Sequence, residues 1–202
     1  GKVVALKAHR DLNLWYRTGL PYDEIHPEDP NNVGVIARSE TDGQENMKAY
    51  KQIPDWKTHY PVAAYVSDLN DENGNPGWYL PAIKEVQAMV GWIDGEVLSP
   101  DGEAGQEPSE AMKEKRKAIN QLIVDNGGNE FYFYGYDVSF IIDQTNAWEA
   151  DYFNRIYTST ETDYQVHPMV FKFYLRNGWW ETMHVYGDLA GSYGEVRPFL
   201  AF

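Results

Sequence analysis

The sequence predicts an α+β fold, and three observations carry that expectation. Helix-period apolar stripes occupy the middle of the chain, at Ala82–Ile93 and from Ser109 to about Asp125. Aromatic and β-branched runs follow Asn129, with Arg176-Asn177-Gly178 between two of them. Short apolar segments stand at both ends, KVVALKA from Lys2 and VRPFLAF from Val196. Strands, then helices, then an antiparallel sheet is the element order of an α+β domain.

The elements follow in order. KVVALKA reads as a strand, with LNLWY at Leu12–Tyr16 as its hairpin partner. Thr18–Asp42 is rich in Pro, Asn, Asp and Gly and reads as a long surface excursion, in which only VGVIA at Val33–Ala37 looks structured. Met47, Tyr50 and Lys51 fall at helical spacing within Gln44–Ile53. Tyr60–Leu69 fits helix or strand, and Pro61 with two alanines favours helix. In GWYLPAIKEV, Gly77–Val86, Pro81 sits where a helix opens, because its missing N–H would have no partner there. Ile83, Val86, Met89, Val90 and Ile93 then make one stripe at steps of three and four. A Gly-, Glu- and Pro-rich loop covers 94–108. Ser109 reads as the N-cap of the next helix, and Gly127 and Gly128 end it. FYFYGYDVSFII, IYTST, MVFKFYL and WWETMHVY read as strands, and Asn-Gly between such runs is a hairpin signal. The C-terminal VRPFLAF reads as a strand tied into the core rather than a frayed end.

Composition narrows the function classes. The chain has 202 residues, read as one large domain with insertions at about 18–42 and 94–108. A net charge of −14, from 31 acidic and 17 basic residues, argues against nucleic-acid binding, which needs clustered Lys and Arg. The basic cluster Lys113–Lys117 alternates with acids and reads as a solvated helix face. With no cysteine, disulfides, thiolate catalysis and thiolate metal sites are excluded. No apolar run reaches the ~18 residues of a membrane helix, so membrane insertion of this segment is not expected. Gly1 in place of Met reads as the trimmed start of a longer parent chain, with this domain as its distal, ligand-facing module.

In order along nearly the whole chain stand VVAL at Val3, TDGQEN at Thr41, PVAAY at Pro61, GWYLPAIKEV at Gly77, YTSTE at Tyr157 and VRPFLAF at Val196. This set resembles the C-type-lectin-like domain at the C-terminus of collagen-like bacterial surface proteins, also found in surface proteins of gut bacteria. Tyr157 stands where that family tends to have Trp, and Met47 where Thr is usual. The resemblance implies a C-type-lectin-like fold, with two helices packed on antiparallel sheets and paired N- and C-terminal strands. It implies little about activity, because folds of this kind host many unrelated functions. The leading expectation is a non-enzymatic, extracytoplasmic bacterial surface domain for recognition or adhesion, with a glycan or a host or matrix protein as ligand. A structural or pilus-associated assembly module is the alternative, and a glycan-active enzyme a third reading. The family motifs themselves read as structural: Trp78 and Leu80 plug the core, and Glu85 is expected to pair with Arg197.

Candidate sites are few. C-type lectins bind sugar through calcium held by oxygen ligands, but Glu-Pro-Asn, Gln-Pro-Asp and Trp-Asn-Asp are absent; no cofactor is expected, and calcium stays open without its usual motifs. Glu107-Pro108-Ser109 lacks the amide. Asp68–Asn75 lacks the Gly and Glu of an EF-hand and reads as a polar turn. The five histidines, at 9, 26, 59, 167 and 184, show no ligand spacing. The related formylglycine-generating enzymes use active-site cysteines, which this chain lacks. Acid pairs for glycoside hydrolysis are not readable from spacing along the chain. The remaining candidate is Asp143–Thr158, where Asn146, Trp148, Glu149, Asp151, Tyr152 and Asn154 mix an aromatic platform with amides and carboxylates. The competing reading makes Trp148 and Tyr152, four apart, the buried side of a short helix.

Overall fold

A computed structural model describes residues 1–9, 36–74, 77–95, 109–131, 155–161, 168–173, 180–184 and 195–201. Its architecture is α+β. The first sheet has strand order β1-β6-β2, with β1 at Lys2–Val4, β2 at Trp78–Tyr79 and β6 at Phe199–Ala201. The second has order β3-β4-β5, with β3 at Arg155–Glu161, β4 at Pro168–Phe173 and β5 at Trp180–His184. Every pairing within the two sheets is antiparallel. Lys2 faces Ala201 and Val4 faces Phe199, so the two ends of the chain share one sheet. The N-terminal segment follows the C-terminal one beyond β1: Ala5 N donates to Pro198 O at 2.8 Å, and His9 and Val196 form a bridge. The expected pairing of MVFKFYL with WWETMHVY is present as β4 with β5, and its Asn177-Gly178 turn lies outside the described residues. So do Leu12–Tyr16, most of the 18–42 excursion and residues 96–108.

The helices begin where local chemistry favours a start. In α1, Gly43–Tyr50, the Asp42 carboxylate accepts from the Gln44 and Glu45 amides. After the short α2, Trp56–His59, Pro61 opens α3, Pro61–Asn73. The Asp68–Asn75 stretch is therefore not a polar turn: through Asn73 it is the last turns of α3, ended by Gly74 at φ 57°. Asn70 explains why polar residues continue the helix. Its side chain bonds Gly77 N, Trp78 N and Trp78 O, fastening α3 to β2. In α4, Ile83–Asp94, the expected stripe is buried at Ile83, Val86, Val90 and Ile93. Pro81 is not the first helical residue; it precedes the N-cap Ala82, and its carbonyl accepts from Ser159 N at 2.7 Å. In α5, Glu110–Asp125, the Ser109 hydroxyl caps Met112 N as expected. The last residues of α5 are closed by Gly128, whose amide donates to Ile123 O at 2.9 Å. A Cβ there would lie 2.4 Å from Leu6 O, so only glycine fits.

The solvated-face reading of Lys113–Lys117 fails at one residue. Arg116 is 2 % exposed and makes two 2.7 Å bonds to the buried Asp94 carboxylate, joining α5 to α4. The physical reason is periodicity: Arg116 shares the inward face of α5 with Asn120 and Ile123, also buried.

Two apolar clusters form the core. One gathers Met47, Tyr50, Tyr60, Leu80, Tyr157 and Phe199, the other the α4 stripe with Ile123, Phe131, Ile156 and Phe171. Val4 and Met89 pack against both. Leu80 is fully buried as expected, whereas Trp78 is half-buried and its neighbour Tyr79 fills the core. Between the clusters runs a buried polar seam along β3, whose register shifts between Tyr157 and Glu161. Tyr157 N donates to Glu195 O, Ser159 N to Pro81 O, and Glu161 N to Ala37 O. Alternate amides of the strand, at Tyr157, Ser159 and Glu161, thus find loop carbonyls while the Thr-Ser-Thr-Glu run is buried.

Candidate functional site

A cleft of about 810 Å³ opens beside β1, walled by α4 and α5. Its walls are predominantly apolar: Val4, Leu6, Met89, Ile93, Ile119 and Phe131 line it. Its polar lining is Lys2, Thr41, Lys84 and Glu85. Trp92 stands at its rim, 72 % exposed, and Val3 and Leu6 are also exposed apolar residues. The cleft exists because α4 has two apolar faces. The stripe at Ile83, Val86 and Val90 faces the core, Met89 packs against it at the cleft wall, and Trp92 extends the apolar surface outward to the rim.

Glu85 organises the polar end. It occupies the third position of α4, and its Oε2 accepts from the N-cap amide of Ala82 at 2.7 Å and from Gly43 N at 2.9 Å. Its Oε1 accepts from the Tyr79 hydroxyl at 2.8 Å and from the Lys2 ammonium. Burial, followed by the hydrogen bond and charge of Glu85, pushes the Tyr79 phenol well above its usual range, so it stays a donor. Lys84 pairs with Glu40 at 2.6 Å, both side chains about half exposed. At the far end of α4, Lys115 bonds the Trp92 carbonyl at 2.8 Å and lies 5.6 Å from the centre of its ring.

The expected Glu85–Arg197 pair does not form. Glu85 is satisfied at the start of α4, and Arg197 serves the other side of β6. Arg197 is fully buried, bonded to Glu195 at 3.1 Å and to the carbonyls of Ala5, Leu6, Asn129 and Glu130. Its guanidinium lies 3.9 Å from the centre of the Phe131 ring. A fork of five donors matches that ring of carbonyls, which a single carboxylate partner would have left unpaired.

The ligand-binding candidates Asn146, Trp148, Glu149, Asp151, Tyr152 and Asn154 lie outside the described residues. The cleft was not anticipated. Two sequence features bear on it: Glu85 in the first turn of the helix, and a large apolar Trp92 off the core stripe. Chemically, the arrangement suits holding a ligand. Glu85, the carboxylate in the cleft lining, is committed to four donors. Among the described residues no group of three or more His, Asp or Glu is placed to hold a metal ion. No helix among them is long and apolar enough to cross a membrane. The chain matches no protein-family model, no curated protein and no solved structure.

Proposed function

We propose that this chain is a non-enzymatic recognition module of C-type-lectin-like architecture, displayed outside the cytoplasm at a cell surface. One observation carries the reading: a preformed apolar cleft whose one lining carboxylate, Glu85, is held in place by the fold rather than poised to react. The layout supports the architecture, since the ends pair in one sheet and the helix after GWYLP packs against β3 and β4. A glycan or a host or matrix protein as ligand remains the expectation attached to 143–158. The experiment is an array of glycans, surface proteins and lipids, probed with and without chelator, using the parent chain and Trp92→Glu. Saturable hits support recognition, and their loss in Trp92→Glu assigns them to the cleft. An array without hits overturns the reading.

An assembly role is the second reading, favoured by exposed Val3 on β1 and exposed Leu6 two residues beyond it; the one partner strand of β1 among the described residues is β6. An edge strand beside an apolar cleft accepts an added strand from a partner subunit. A stable complex with a co-expressed subunit, lost in Val3→Lys, supports it over the first.

A further inference from the structure

We propose that the cleft beside β1 binds an anionic amphiphile, an acyl chain of medium length with a carboxylate head at Lys2 and Lys84. The proposal rests on reading the cleft as a recognition site and names its ligand class. The cleft is polarised along the axis of α4. Lys84 and Glu85 line it at the first turn, and Met89, Trp92 and Ile93 line it towards the last. From residue 84 to 93 the helix rises ~13 Å, enough to lay a medium acyl chain along it.

The polar end carries two cations, the ammonium groups of Lys2 and Lys84. The N-terminus of α4 adds none, because Glu85, Thr160 and the Glu40 carbonyl already meet its amides. Glu85, the acid lining that end, is nearly fully buried and keeps two amide donors and the Tyr79 hydroxyl without Lys2. Lys2 is about half exposed, so its ammonium can turn to a ligand without stranding the carboxylate. The Lys84–Glu40 pair is half exposed and holds Lys84 weakly. In a chain of net charge −14, a cationic spot at the head of an apolar cleft concentrates an anionic head there, while the rest of the surface repels it. The other end fixes the tail. Met89, Ile93, Ile119 and Phe131 offer nothing to the hydroxyls of a sugar or the amides of a peptide, whose burial there would be costly.

The test is isothermal titration with decanoate, decan-1-ol and decyltrimethylammonium, each below its micelle concentration, with circular dichroism to verify the fold of every variant. Decanoate is expected to bind one saturable site. Decanol is expected to bind about tenfold more weakly and the cation more weakly still, because both lose the charge-assisted contacts. Lys84→Glu, at a half-exposed position, should weaken decanoate about tenfold and leave decanol unchanged. Trp92→Glu, at an exposed position, should weaken both. No decanoate binding, equal affinity for decanoate and decanol, or full binding by both variants overturns the proposal. Array hits that Trp92→Glu abolishes, beside a failed decanoate titration, overturn this ligand class and leave the recognition reading standing.

Discussion

Asp94 and Arg116 form a doubly hydrogen-bonded ion pair between α4 and α5, with side chains 1 % and 2 % exposed. Removing one partner leaves the other charged and buried, which costs about 3–5 kcal/mol. Arg116→Ala is therefore expected to destabilise the chain by that amount in urea unfolding. The double change Asp94→Leu with Arg116→Met should cost far less than the sum of the single changes. Additive losses would mean the pair is not coupled.

Arg197→Ala should be as damaging as Arg116→Ala, since four carbonyls and Glu195 lose their donor. Arg197→Lys should not rescue it, because an ammonium is a point charge and cannot span the same acceptors. Equal thermal stability of Arg197→Lys and the parent would refute the multi-carbonyl role.

The two partners of the salt bridge at the cleft are unequal. Lys2→Met is expected to change stability by about 1 kcal/mol, because the buried Glu85 carboxylate keeps its two amide donors and the Tyr79 hydroxyl. Glu85→Ala strands the Gly43 and Ala82 amides and should cost about 3 kcal/mol. Chemical denaturation of both variants checks the asymmetry, and similar losses would contradict it.

Alkaline pH should act through Tyr79. Its folded pKa is raised above the usual 10, so above pH 10 the unfolded chain gives up a proton that the folded chain keeps. The stabilisation is fully present below pH 10 and is lost as pH rises beyond it. Tyr79→Phe should cost about 1 kcal/mol at neutral pH, and its stability curve should approach that of the parent above pH 10. Parallel curves across pH 7–12 would rule this out.

Gly43 is expected to tolerate no side chain. A Cβ would sit 2.3 Å from Leu80 O and 2.9 Å from Ala82 N, both backbone atoms that cannot swing aside. Gly43→Ala should cost about 1–3 kcal/mol by forcing α1 away from the start of α4. Thermal unfolding measures it, and an unchanged midpoint would contradict the close approach.

Features written in short-range pattern were legible in the sequence. The α4 stripe, the Ser109 cap, the Pro61 helix start and the strand-like ends each depend on residues within a turn or two of one another. What was not legible depends on distant partners. Glu85 and Arg197 were read as one pair because both are ionisable and sit in the two family-like motifs, yet each is consumed by backbone groups that no local pattern advertises. Arg116 looked solvated because its neighbours are charged, and only Asp94 on another helix explains its burial. Asp68–Asn73 looked like a turn because its polar side chains hide what Asn70 bonds across to β2. The cleft was missed for the same reason: β1, α4 and α5 build it together, and only Glu85 and Trp92 hinted at it.

The register Lys2↔Ala201 also has a mechanical meaning. With β1 and β6 antiparallel, the outer ends of both strands lie side by side at one edge of the sheet. Tension applied between residues 2 and 201 would load the β1–β6 hydrogen bonds one at a time, from that edge inward, as in opening a zip.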